Sequence, residues 1–157
     1  VTSAEEMMSK VKALLPMDIA VCAAAVSDFR PINFSKNKLK KEINNLSELK
    51  LKKNPDILEY LGKNNKSRPK IVVGFSAETE NLIENSIKKL KNKYCDLIVA
   101  NDVSKKDSGF NVDYNKVSII NKEREIHSVP KNKKSFIATI IAKKIIDVFL
   151  IDGKSIN

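Results

Sequence analysis

The chain has 157 residues, 42% of them apolar, which is enough for one domain with a real hydrophobic core and too apolar for a disordered chain. The formal charge is +10, but lysine supplies 26 of the 29 basic residues; arginine, the usual reader of base edges and phosphate forks, occurs only at Arg30, Arg68 and Arg124, so nucleic acid is not the expected partner. No apolar run reaches the roughly eighteen residues that span a bilayer, and the opening Val-Thr-Ser-Ala-Glu-Glu carries no basic-then-apolar leader, so the expectation is a cytoplasmic protein without a membrane partner.

Ser3 and Glu6 form a capping box ahead of an apolar stripe at Met7, Val11, Leu14 and Leu15. A helix is expected from Ala4 to Leu15, stopped by Pro16. Asp18 to Val26 is almost continuously apolar and reads as a strand buried on both faces, the mark of a parallel sheet covered by helices. From Asp28 to Leu51 the pattern breaks into a polar stretch with Pro31 and a crowd of lysines, Lys36, Lys38, Lys40 and Lys41 among them. A segment of this length without periodicity is read as a functional flap, at about residues 29–52. Within it, Leu46 to Leu51 is a candidate short strand.

Asn54 and Pro55 read as N-cap and first-turn proline of a helix carrying Ile57, Leu58 and Leu61, with Gly62 to end it. Lys70 to Phe75 reads as a second buried strand. A helix over Glu80 to Tyr94 follows, with Leu82, Ile83, Ile87 and Leu90 turned inward. Asp96 to Ala100 is a third strand, and Lys105 to Asn111 a polar loop. Lys116 to Ile120 and Arg124 to Val129 read as an antiparallel hairpin turning at Asn121 to Glu123. A last helix is expected over Lys133 to Leu150, with a loose tail at 152–157. The whole reads as one α/β domain over residues 1–151.

Open parallel sheets bind ligands beyond the carboxyl ends of their strands, and three strand ends are unusual here. Ala23-Ala24-Ala25-Val26-Ser27-Asp28-Phe29-Arg30-Pro31 offers small residues for close backbone approach, and Asp28 either accepts from a ligand or caps a turn. In Gly74-Phe75-Ser76-Ala77-Glu78-Thr79, Phe75 either stacks on a base or packs in the core, and Glu78 serves the following helix dipole. At Ala100-Asn101-Asp102-Val103, Asn101 bonds a ligand or its own loop. Lys89 and Lys93 are i,i+4 neighbours that can reach one phosphate, or else form a solvated face. Only four glycines occur, and neither G-x-G-x-x-G nor G-x-x-x-x-G-K-[ST] is among their settings. Cys22 and Cys95 read as core thiols of a reducing compartment, and His127 as structural. No H-x-x-x-H or C-x-x-C implies a metal, although magnesium held through ligand phosphates needs few protein groups.

These motifs, in this order and across nearly the whole chain, resemble phosphopantothenate–cysteine ligase, the C-terminal domain of the bacterial bifunctional coenzyme A biosynthesis protein. The resemblance rests on Ser3-Ala4-Glu5-Glu6-Met7, Ala23 through Pro31, Lys38-Leu39-Lys40-Lys41 and Lys53-Asn54-Pro55-Asp56-Ile57-Leu58. It continues through Gly74 to Thr79, Lys89 to Lys93, Asp96 to Val103 and Gly109-Phe110-Asn111. It implies a Rossmann-like three-layer sandwich with a mostly parallel central sheet, an extended flap, and a C-terminal hairpin plus helix. It also implies ligation of 4′-phosphopantothenate to L-cysteine, driven by CTP with Mg2+ through an acyl-cytidylate.

By the same resemblance, Cys22, Ala23 and Ala24 line the nucleotide pocket through backbone, Asp28 contacts the nucleotide and Phe75 packs near it. Lys38 on the flap reaches the phosphates and is the catalytic candidate. Pro55, Asp56, Ile57 and Leu58 place helix-start N–H groups by the ligand, and Lys89 and Lys93 complete the basic lining. Family members dimerise. The family also carries, ahead of the matched region, a strand and helix with a glycine-rich turn and a catalytic-side asparagine that this sequence does not contain. A partial site is therefore expected, completed by another segment or chain, with a nucleotide-binding remnant or a subunit of a split enzyme as the alternative. The flavin-binding decarboxylase of fused relatives is likewise not in this sequence, so no flavin is expected.

Overall fold

The computed structural model describes residues 1–33, 49–63, 66–104 and 113–151. They fall into two compact units, one of residues 1–13 and 24–57, the other of residues 14–23 and 58 onward.

In the first unit, helix α1 covers Ala4–Ala13, and β2 (Phe29–Pro31) pairs antiparallel with β3 (Leu51–Lys53). Ser3 caps α1 by accepting from the Glu6 N–H at 3.1 Å. The Glu6 carboxylate reaches back one residue further than the capping box predicts, to the Thr2 N–H at 2.8 Å. That bond, with a second from the Thr2 hydroxyl, lowers the Glu6 pKa. The half-buried stripe is Ala4, Met7, Met8 and Val11. Leu14 is not part of it: the helix stops at Ala13 and Leu14 is 68% exposed, because the residue before a proline is pushed out of helical conformation and Leu15 precedes Pro16.

The second unit holds a five-stranded sheet in the order β1-β4-β5-β6-β7, with β1 Ile19–Cys22, β4 Ile71–Glu78, β5 Leu97–Asp102, β6 Tyr114–Asn121 and β7 Ile126–Lys133. β1, β4 and β5 are parallel, while β6 and β7 form the antiparallel hairpin. Helix α4 (Lys134–Ile151) covers one face: Ile137, Ile141, Ile145 and Phe149, four residues apart, pack on Ile71, Val73, Leu97, Val99, Val117, Ile119 and Val129. Strand period two sends those residues to one side and Val72, Ile98, Ala100 and Ile120 to the other. On that other side lie α2 (Ile57–Lys63), which begins in the first unit, and α3 (Leu82–Asn92), with Leu61 and Leu90 buried. The α/β three-layer fold is therefore the one the motifs imply.

Other boundaries also differ from expectation. β1 is only four residues long and is an edge strand; Ile19 is 39% and Val21 48% exposed, so its apolar run is not buried on both faces. No strand pairs with its outer edge among the described residues. β4 runs on to Glu78, because its parallel register with β5 continues through Glu78 opposite Asp102. Asn54 is not the N-cap of α2, which starts at Ile57, and Gly62 does not end that helix. Gly62 is instead a contact glycine: a Cβ there would sit 1.9 Å from the Lys93 carbonyl oxygen. The Leu46 end of the expected flap strand lies outside the described residues, as do Lys36, Lys38, Lys40, Lys41, the Gly109 loop and the tail.

Candidate functional site

In the first unit, the loop Ala24–Phe29 is exposed throughout, Asp28 included. It is held from below by Asn54, whose backbone N–H donates to the Asp28 carbonyl at 2.8 Å and whose side-chain amide donates to the Ser27 carbonyl at 2.7 Å. The Asn54 amide oxygen in turn accepts from the Arg30 guanidinium, which also pairs with Glu5 of α1. Arg30 is thus committed to anchoring, and Asp28 is an exposed residue at the braced end of the loop, directly before β2. The same unit holds a cleft of about 410 Å³ lined by Thr2, Ser3, Met7, Ser27, Arg30 and Asn54, among others, with Asp28 not in its lining. Pro55 is half-buried, Asp56 exposed and Ile57 buried. The anchoring role of Asn54 escaped the sequence reading, which saw only an N-cap; the signal was the hydrogen-bonding side chain three residues before the helix.

In the second unit, the register partner of Cys22 is Gly74, so the Cys22 side chain lies on the α2/α3 face of the sheet. Above Gly74 sit Leu58 Cδ2 and Cys95 Sγ, which a Gly74 Cβ would meet at 2.8 and 3.2 Å. Lys89 is close enough to Cys95 to oppose the rise in its pKa; burial, the largest cause, still pushes that thiol up to about 12. Cys22, Leu58 and Lys89 therefore share one neighbourhood. Phe75 does not join them. Alternation along β4 turns it to the opposite face, where it packs against the α4 core. Lys93 donates to Glu59 at 2.9 Å, and Lys63 binds the other oxygen of that carboxylate at 2.5 Å. Hydrogen bonds from Lys63 and then Lys93 hold the Glu59 pKa down to about 2. Ala23 is exposed at the end of this unit's first segment. Lys38, the catalytic candidate, lies outside the described residues.

The carboxyl ends of β4 and β5 add groups that motif reading undervalued. Glu78 accepts from the Ser76 hydroxyl at 2.7 Å and the Asn85 amide at 3.4 Å, and Asp102 from Ser104 at 2.6 and 3.0 Å. Ser76 and Glu78, two apart on a strand, share a face, which was the legible signal. The Asn101 amide oxygen is enclosed and meets no donor among the described residues. No group of three or more His, Cys, Asp or Glu side chains is arranged for a metal among the described residues, and no described helix is long and apolar enough to cross a membrane.

Residues 1–149 match the family described as the DNA/pantothenate metabolism flavoprotein C-terminal domain. The chain belongs to this family. Within it, the coenzyme A biosynthesis bifunctional protein CoaBC of Borreliella burgdorferi is 40% identical over 143 residues, 90% of this chain but 35% of that protein. A solved C-terminal domain of a CoaBC protein superposes with a TM-score of 0.73 at 28% identity, covering 98% of this chain and 65% of that one. A Cab2 mutant in complex with phosphopantothenate-cysteine shares the fold at a TM-score of 0.69 and 20% identity, over 99% of this chain and 54% of its own. This flavoprotein C-terminal domain thus spans about a third of the curated relative's length.

Proposed function

We propose that this chain is the nucleotide-handling part of a CTP-dependent phosphopantothenate–cysteine ligase acting in coenzyme A biosynthesis. The observation that carries the reading is the 40% identity to a coenzyme A biosynthesis protein over nine-tenths of the chain, with the site motifs in family order. In this reaction the 4′-phosphopantothenate carboxylate attacks the α-phosphate of CTP, forming an acyl-cytidylate and releasing pyrophosphate. The amine of L-cysteine then displaces CMP. Magnesium travels with the triphosphate, whose oxygens supply most of its ligands.

The residues of the chain have parts suited to this. In the first unit, Ala24 through its backbone and the braced Asp28 are nucleotide contacts; in the second, Cys22, Ala23 and Leu58 are. Asp56 and Ile57 present backbone N–H groups, and Pro55 ahead of them fixes the turn into the helix. Lys89 and Lys93 contribute positive charge, with Lys93 released from Glu59 or sharing it. Phe75, on the α4 face, acts by packing rather than by stacking on the base. Lys38 neutralises charge that develops on the phosphates. The reading includes a homodimer in the cytoplasm, a site completed by a segment outside this sequence, and no flavin on this chain. As the second reading, a binding remnant or split-enzyme subunit takes up CTP without releasing pyrophosphate on its own.

Calorimetry with magnesium tests the core of the proposal: CTP binds at least about tenfold more tightly than ATP, a difference of about 1.4 kcal/mol. Equal binding of the two removes it. In a pyrophosphate-release assay with both co-substrates and the completing segment supplied, Lys38→Ala lowers turnover by about 10²-fold or more, while its thermal midpoint stays that of the parent. Unchanged turnover takes the catalytic role from Lys38.

A further inference from the structure

Open parallel sheets gather ligands at the carboxyl ends of their strands, yet four cations of the second unit gather at the opposite end. Arg68 stands just before β4, and Lys91 is in the last turn of α3. Lys122 and Arg124 follow β6, whose last residue, Asn121, pairs with Leu97 at the start of β5. All four line one cleft of about 400 Å³ that lies wholly within this unit. The eight residues of β4 separate this end of the sheet from the Glu78 end, about 25 Å at the rise of an extended strand.

The cations differ in what already holds them. Arg68 donates to the carbonyls of Gly62, Pro69 and Tyr94 and to the buried Asp96 carboxylate, so it forms the wall of the cleft. Lys122 shares Asp96 with it. Lys91 and Arg124 are exposed, and among the described residues no carboxylate pairs with either side chain. The lining contains no Asp or Glu; Glu125, in the same turn, accepts from the Asn121 amide at 2.8 Å. Four cations against the single carboxylate of Asp96 leave an excess of three positive charges. The rest of the surface is apolar: Leu90 is buried, Ile87 half-buried and Tyr94 53% exposed. Ile87 and Lys91 are four apart and share a flank of α3. Lys89 and Lys93 lie two positions on from each of these, about 200° round the helix, and Lys93 bonds Glu59 of α2.

We infer that this cleft is a second binding site, which takes a small phosphate monoester carrying a flat or apolar body. The Arg124 guanidinium offers a planar fork to two phosphate oxygens, and Lys91 and Lys122 add point charges. Ile87, Leu90 and the Tyr94 ring receive the body. An excess of three charges matches a phosphate dianion better than a single carboxylate, and about 400 Å³ is the size of a small-molecule pocket. The inference rests on the cleft alone and is independent of the nucleotide reading.

The test titrates phenyl phosphate into the full chain and follows backbone amides by two-dimensional NMR, with inorganic phosphate and phenol as separate arms. Phenyl phosphate is expected to shift Lys91, Tyr94, Lys122 and Arg124 saturably, with a Kd about tenfold or more below that of either fragment. Combining Lys91→Gln with Arg124→Asn raises the phenyl phosphate Kd about tenfold or more, at an unchanged urea midpoint. Asparagine is the choice at position 124 because φ there is 65°, a left-handed conformation that it tolerates. Lys91→Gln alone, at an exposed helix position, moves the Kd in the same direction without touching the turn. Four results overturn the inference: no saturable shift, inorganic phosphate binding as tightly as phenyl phosphate, shifts gathered at Ala23, Ala24 and Asp28 instead, or variants that keep the parent Kd.

Discussion

Arg68→Ala offers the sharpest test of what holds the second unit together. Asp96 is 1% exposed, and its carboxylate accepts from Arg68 Nη2 at 2.8 Å and from the Val72 backbone N–H at 2.7 Å, and pairs with Lys122 on its other oxygen. Arg68 also donates to the carbonyls of Gly62 at 3.0 Å, Pro69 at 2.7 Å and Tyr94 at 2.8 Å. One guanidinium therefore closes the ends of α2 and α3 onto the start of β4 and β5. Its removal strips a buried carboxylate of one of its two cations and leaves three carbonyls short of a donor. Breaking a buried pair from one side costs about 3–5 kcal/mol; Lys122, half exposed, keeps part of the compensation, which places the expectation near 3 kcal/mol. For a chain of this size that is a fall of roughly 6–12 °C in thermal midpoint. The assay is urea unfolding, read as a lower midpoint at unchanged slope. A double-mutant cycle with Asp96→Ala should return a coupling of about 1.5 kcal/mol or more. A loss below about 1 kcal/mol, or additive single mutants, refutes the view that Arg68 and Asp96 act as one buried unit.

Two further predictions come from close contacts. Gly62→Ala would drive a Cβ to 1.9 Å from the Lys93 carbonyl, a backbone atom, whereas Gly74→Ala meets the movable Leu58 methyl at 2.8 Å; urea midpoints should show Gly62→Ala as the more damaging, with Gly74→Ala costing about 1–3 kcal/mol, and the reverse order rejects the packing argument. Glu59 titrates at about 2 in the folded chain against 4.5 for the unpaired group. The sign follows from the depression: its contribution to stability is present above pH 4.5 and fades as pH falls through 2. Side-chain carbon NMR of the Lys63→Ala and Lys93→Ala chains should move the Glu59 midpoint upward, the first more than the second; an ordinary carboxylate midpoint in the parent chain counts against the three-way pairing.

Much of this architecture could be read from the chain as a string, for a simple reason. Continuous apolar runs and 3.6-residue stripes have few packing solutions, and Ile71–Val73, Leu97–Ala100 and the Ile137-Ile141-Ile145-Phe149 series reach the core as their periods require. The capping of α1 and the hairpin were equally local, and the ordered motifs carried the family. What tertiary structure alone decided was position relative to distant residues. Val21 looks like a core residue until the sheet order leaves β1 at an edge. Phe75 is open to base stacking or to core packing until the phase of β4 turns it toward α4. Asn54 and Gly62 look like helix punctuation until Ser27 and Lys93 arrive beside them from elsewhere in the chain. Periodicity reports which face of its own element a residue occupies; only the fold says what stands opposite that face.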